Sequence, residues 1–100
     1  MSSDEVLHGV RAGDVREVAS VLADRLGCSF AVRESDYFGE YFLAHTKRGN
    51  VKIVAQPDPE GEPLEEDFEE YQVLVYSPGG DDELDLRDIQ VGQGVIERLS

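Results

Sequence analysis

One hundred residues, 40% apolar and 31% charged, describe one globular domain with a small core. A formal net charge of −13 disfavours nucleic acid and anionic membrane as direct partners, since both repel an acidic surface. The single cysteine, Cys28, excludes an intramolecular disulfide.

The start, "MSSDEVLHGV", has neither a basic n-region nor a long apolar stretch, so no signal peptide is expected. No segment reaches the ~20 apolar residues of a membrane helix, and the expected location is the cytoplasm. Val6, Leu7 and Val10 suggest a short helix, with Ser3 as its cap and Ala12-Gly13 as the following turn. The next stretch, "DVREVASVLADRLG", predicts a helix over 15–26. Asp14 is a good N-cap and Glu17 completes a capping box. Val15, Val18, Ala19, Leu22 and Leu26 share one face, and Gly27 suits a left-handed C-cap.

From Cys28 the apolar period changes to two. "CSFAVRES" sets Phe30 and Val32 against Ser29, Ala31 and Arg33. "EYFLAHTK" sets Tyr41, Leu43 and His45 against Phe42, Ala44 and Thr46. "KRGN" is a hairpin signal, and "VKIVAQ" follows with Val51, Ile53 and Ala55 opposite Lys52 and Val54. "PDPEGEP" is excluded from a central strand because proline has no donor for the ladder. "YQVLVYS" is apolar nearly throughout and reads as a central strand. In the tail, Gly92 and Gly94 break any long helix, leaving a short one over Val95–Leu99. The expected fold is α+β, a two-layer sandwich. A mainly antiparallel four-stranded sheet is covered on one face by the N-terminal helix, and the first three strands form a meander.

Charge divides sharply along the chain. Residues 1–57 hold eight acids and seven bases, net −1; residues 58–100 hold fourteen acids and two bases, net −12. No motif of a known reaction is present. There is no GxSxG, and "SPGGDD" and "VGQGV" lack the phosphate-cradle patterns and read as turns. Cys28 and His45 can meet across neighbouring strands, but nothing in their spacing demands it. Two loops invite a divalent cation: "GGDDELDLRD", with Asp81, Asp82, Glu83, Asp85 and Asp88, and "PDPEGE", with Asp58, Glu60 and Glu62. Neither has the register of a Ca²⁺ loop, so no metal or other cofactor is expected and the protein is read as a non-enzyme.

The densest charge lies in "PLEEDFEEYQ", where Glu65, Glu66, Asp67, Glu69 and Glu70 are interrupted only by Phe68. Extended, this tract carries one carboxylate per ~4 Å, and helical one per ~1.8 Å. Nucleic acid carries one charge per ~3.4 Å of strand or ~1.7 Å of duplex, so over one or two turns the tract approaches that density. A solvated loop is the plain alternative. Leu64, Phe68 and Tyr71 at i, i+4 and i+7 suggest a helical turn opened by Pro63, with Phe68 at least half buried. In "DYFGEYF", one pair among Tyr37, Phe38, Tyr41 and Phe42 should enter the core, while the other packs under a loop or faces outward.

The stretch from Tyr37 to Tyr76 resembles small acidic bacterial proteins of the toxin-immunity type. It has an aromatic-rich strand ("DYFGEYFLAH"), a second strand ending in a polar turn ("VKIVAQPD"), an acidic loop and an apolar strand ("YQVLVYS"). The resemblance implies a protein that blocks a basic partner, often a nuclease, without chemistry of its own. Residue and resemblance readings converge on a non-catalytic domain that binds a basic protein. The contact residues would be Glu65, Glu66, Asp67, Phe68, Glu69, Glu70 and Tyr71. The alternatives are a homo-oligomeric scaffold associating through its sheet and a weak divalent-cation binder.

Overall fold

A computed structural model describes residues 5–36, 38–47, 49–56, 60–79, 86–92 and 94–99. It contains one α-helix, α1 (Val15–Leu26), and seven strands: β1 (Glu5–Val10), β2 (Ala31–Ser35), β3 (Gly39–Thr46), β4 (Gly49–Ala55), β5 (Val73–Pro78), β6 (Gln90–Val91) and β7 (Gly94–Arg98). They form a single antiparallel sheet in the order β2-β3-β4-β5-β1-β7-β6. The α+β class is as expected, but the sheet has seven strands rather than four.

Two of the three added strands, β1 and β7, come from the segments expected to be helical, and the third is the two-residue β6. Val6–Val10 is buried on both faces of β1, which lies between β5 and β7. Val6, His8 and Val10 alternate with Leu7 and Gly9, so a doubly buried strand shows a near-continuous apolar run rather than a clean period of two. At the other terminus, Val95–Leu99 is not a helix: Gly94–Arg98 is β7, which pairs with β6 and β1. Gly92, at φ 57°, supplies the left-handed residue of the intervening turn, and β-branched Val95 and Ile96 favour the extended chain that follows.

The main helix forms where its signals place it. Asp14 Oδ1 accepts the Glu17 N–H at 3.0 Å, and Gly27 closes the helix at φ 64°. Glu17's carboxylate lies against Gly92, where an added Cβ would sit 2.8 Å from Oε2. Val18, Ala19 and Leu22 are buried against Phe42, Val51, Ile53, Val73, Val75, Val91 and Ile96, so α1 covers one face of the sheet. The β2-β3-β4 meander and the central position of β5 also match the alternation in the sequence.

The opposite face is covered too. Leu7, Val54, Tyr71 and Leu74 form a second core, against which Phe38, Tyr41, Leu64, Phe68, Tyr76 and Leu99 pack. Leu64, Phe68 and Tyr71 come from the acidic segment, so that segment acts as a third layer. Gly9 makes the close approach possible: a Cβ there would lie 2.7 Å from Leu99 Cδ1 and 2.9 Å from Tyr71 Cδ2. No helix among the described residues is long and apolar enough to cross a membrane.

Candidate acidic docking surface

The acidic segment is ordered by one amide. Gln56 stands at the end of β4 and is 7% exposed. Its Nε2 donates to the carbonyls of Phe68 at 2.6 Å and Tyr71 at 2.8 Å, while its Oε1 accepts the N–H groups of Leu64 at 3.0 Å and Glu65 at 3.1 Å. The amide orientation is therefore fixed, since exchanging its two ends would break all four bonds. The Gln56 N–H adds a bond to the Gln72 carbonyl at 3.0 Å. A single side chain thus substitutes for the ladder that proline denies this stretch.

Within the segment, Glu66–Phe68 form one 3-10 turn, closed by the Phe68 N–H on the Glu65 carbonyl at 3.0 Å. The turn begins at Glu66 and not at Pro63. The i, i+4, i+7 spacing nevertheless brings Leu64, Phe68 and Tyr71 to one side, into the second core. Phe68 is half-buried, as expected, and meets Tyr71 edge-on with ring centroids 6.1 Å apart.

The seven candidate contact residues thereby separate into two groups. Glu66, Asp67, Glu69 and Glu70 are exposed, and the first three have no ion pair among the described residues. Glu70 lies 4.0 Å from Arg11, with both side chains more than half exposed, a geometry worth little in water. Glu65, Phe68 and Tyr71 anchor the segment. Glu65 Oε2 accepts the Tyr76 hydroxyl at 2.7 Å. Tyr71 is 4% exposed, so its ring packs inside the molecule rather than toward a partner.

Tyr71 also shows how the rim is built. Its hydroxyl donates to Glu97 Oε1 at 3.0 Å and accepts from Arg11 Nη2 at 3.3 Å, and the Arg11 guanidinium lies 4.8 Å from the ring centroid. Burial pushes the phenol above its ordinary range, and the Glu97 carboxylate adds to the shift while Arg11 opposes it. A raised phenol favours the folded state fully below the ordinary tyrosine value near ~10, and that contribution is lost as pH rises through the folded value. Absorbance titration of the phenolate should show one component ionising late, and Tyr71→Phe should remove it. A titration unchanged by the substitution would show that Tyr71 is not the raised group.

Sequence reasoning missed Gln56, Arg11 and Lys52. The signal for Gln56 was a lone amide at the end of an apolar strand, directly before Pro57. Lys52 Nζ lies 4.5 Å from the Phe38 centroid and 5.5 Å from that of Tyr76, so the aromatic cluster holds a cation of its own. Phe42 enters the helix-side core, and Phe38 and Tyr41 join the second core at 5.3 Å; Tyr37 lies outside the described residues.

A groove of about 480 Å³ separates the start of α1 from the end of the acidic segment, lined among others by Asp14, Val15, Ala55, Glu69, Glu70 and Val73. Among the described residues no group of three or more His, Cys, Asp or Glu is arranged to hold a metal. The candidate ligands Asp58, Asp81, Asp82, Glu83 and Asp85 lie outside the described residues, so the two acidic segments are not placed relative to each other. Cys28 is half-buried just after α1, where burial raises its thiol, and His45 is exposed with Nδ1 2.7 Å from Asn50 Oδ1. No family model matches the chain, and no curated protein or solved structure matches it either.

Proposed function

We propose that residues 65–71 form a preformed acidic docking surface for a basic protein, and that the chain acts by binding rather than by catalysis. The role is that of an inhibitor or immunity-type partner of a basic protein such as a nuclease toxin. One observation carries the reading: exposed Glu66, Asp67, Glu69 and Glu70 project from a backbone pinned by the buried Gln56 amide. The four bonds hold the segment in one shape rather than an ensemble. Here the ordering cost is met during folding, which leaves more of the contact energy for binding. The adjoining groove suits an arginine or lysine, with its stem along Val15, Ala55 and Val73 and its charge near Asp14, Glu69 and Glu70.

The attraction is long-ranged and screened by salt. Capture from an extract of the native host should retain a basic protein at low ionic strength and release it as salt is raised. A captured partner whose affinity does not weaken with salt would remove the electrostatic part of the proposal.

A further inference from the structure

The sheet has two ends, and they are unlike. At one, β6 is only two residues long, too short to template another strand. At the other, β2 runs for five residues and among the described residues pairs only with β3. Ala31, Val32, Arg33 and Glu34 are exposed and Ser35 is half-buried. Proteins usually blunt such an edge with charged side chains, lysine above all, with proline, a bulge or a covering element. β2 contains no proline, glycine or lysine, and its charges at Arg33 and Glu34 alternate to opposite faces. Val32, at 51%, is the more exposed of the two large hydrophobic side chains on the described surface.

We propose that β2 is a self-pairing seam, along which two copies of this chain join antiparallel with Val32 opposite its own counterpart. A two-fold axis through an antiparallel pair must place one residue opposite itself. Centring on Arg33 would oppose two guanidinium groups, and centring on Glu34 two carboxylates; like charges directly opposite are destabilising. Centring on Val32 joins two exposed valines and faces Ala31 with Arg33 of the other copy.

The described part of the acidic half lies away from this end. Residues 1–57 are nearly neutral at net −1, whereas the remainder carries −12. The acidic segment packs over β4, β5 and β1, which are two to four strands from β2. At ~4.8 Å per strand that is roughly 10–19 Å, beyond the ~8 Å Debye length at physiological salt. A second copy at β2 therefore leaves Glu66, Asp67, Glu69 and Glu70 of both molecules open. The inference stands apart from the docking proposal, and the two have opposite salt signs. Screening weakens binding of a basic partner but strengthens pairing of two polyanions.

Centred on Val32, the seam pairs only Ala31, Val32 and Arg33 within β2, short compared with the ~800 Å² per partner of a standard interface, so the dimer should form in a concentration-dependent way. Sedimentation of the purified chain from micromolar to millimolar concentration should show the mass doubling, at lower concentration when salt is added. Val32→Lys should keep it monomeric, while Val95→Lys, near the other end of the sheet, should not. A second readout avoids reliance on that charge. In a Cys28→Ser background, Val32→Cys should form an intermolecular disulfide on oxidation, because opposed Cβ atoms at about 4.5–5.5 Å need only a small inward shift to reach the ~4.5 Å upper limit of a disulfide. Arg33→Cys should not, being offset from its own copy. A chain monomeric throughout in high salt, a dimer that Val32→Lys leaves intact, or equal cross-linking at both positions would overturn the seam.

Discussion

Gln56→Ala should cost about 2–4 kcal/mol of folding stability, because it strands two carbonyls and two N–H groups that one amide now satisfies. Water entering the vacated space recovers part of the full desolvation penalty, which keeps the value below the sum of four lost bonds. For a domain of this size that is a fall in melting temperature of roughly 10–20 °C. Gln56→Glu is the sharper experiment. It keeps the acceptor toward Leu64 and Glu65 but turns an oxygen toward the carbonyls of Phe68 and Tyr71. Burial and those carbonyls should raise the new carboxyl above its unfolded value, so the variant should be relatively more stable as pH falls. Chemical denaturation across pH checks both. A Gln56→Ala protein as stable as the parent would mean that the segment is held by its aromatic anchors alone.

Neutralising Glu66, Asp67, Glu69 and Glu70 together, as Gln, Asn, Gln and Gln, should slow association with the captured basic partner about ten- to a hundred-fold at low salt. Dissociation should change less, because exposed rim charges act mainly on encounter. Stability should not fall, since among the described residues the four carboxylates carry only the weak Glu70–Arg11 pair. Glu65 is left in place because it holds the Tyr76 hydroxyl. Stopped-flow or biosensor kinetics at two ionic strengths decide the matter, and the rates of parent and variant should converge in high salt. Unchanged association at low salt would move the contact elsewhere on the protein.

How much of this was legible beforehand depended on whether the signals were local. Asp14 and Gly27 announce the boundaries of α1 because a cap is a contact within a few residues. The meander is legible because short turns leave consecutive strands only one another to pair with. β1 and β7 were not, because burial of β1 on both faces comes from partners at Val73–Pro78 and Gly94–Arg98, far along the chain. Read alone, "VLHGV" is a weak helix; between two strands it is part of a core. The acidic segment was legible in half. Its charge and the spacing of Leu64, Phe68 and Tyr71 were visible. The amide that arranges it was not, since glutamine carries no period and only the fold shows that its four partners converge.

The placement of β1 also sets an order of events. His8 pairs with Arg98, ninety positions away, and with Val75 on its other side. The ribosome delivers β1 well before either of its neighbours, so this interior strand must wait for residues 73–98 to emerge. The α1–β2–β3–β4 stretch can associate earlier through short connections, but it leaves an unfinished edge at β4 where β5 is to dock. Contacts spanning such separations close slowly. Until they do, Val6, Leu7 and Val10 stand in water beside a half-built sheet, the condition under which nascent chains stick to one another. Like charge on the carboxylates of residues 58–100 opposes such contact between chains.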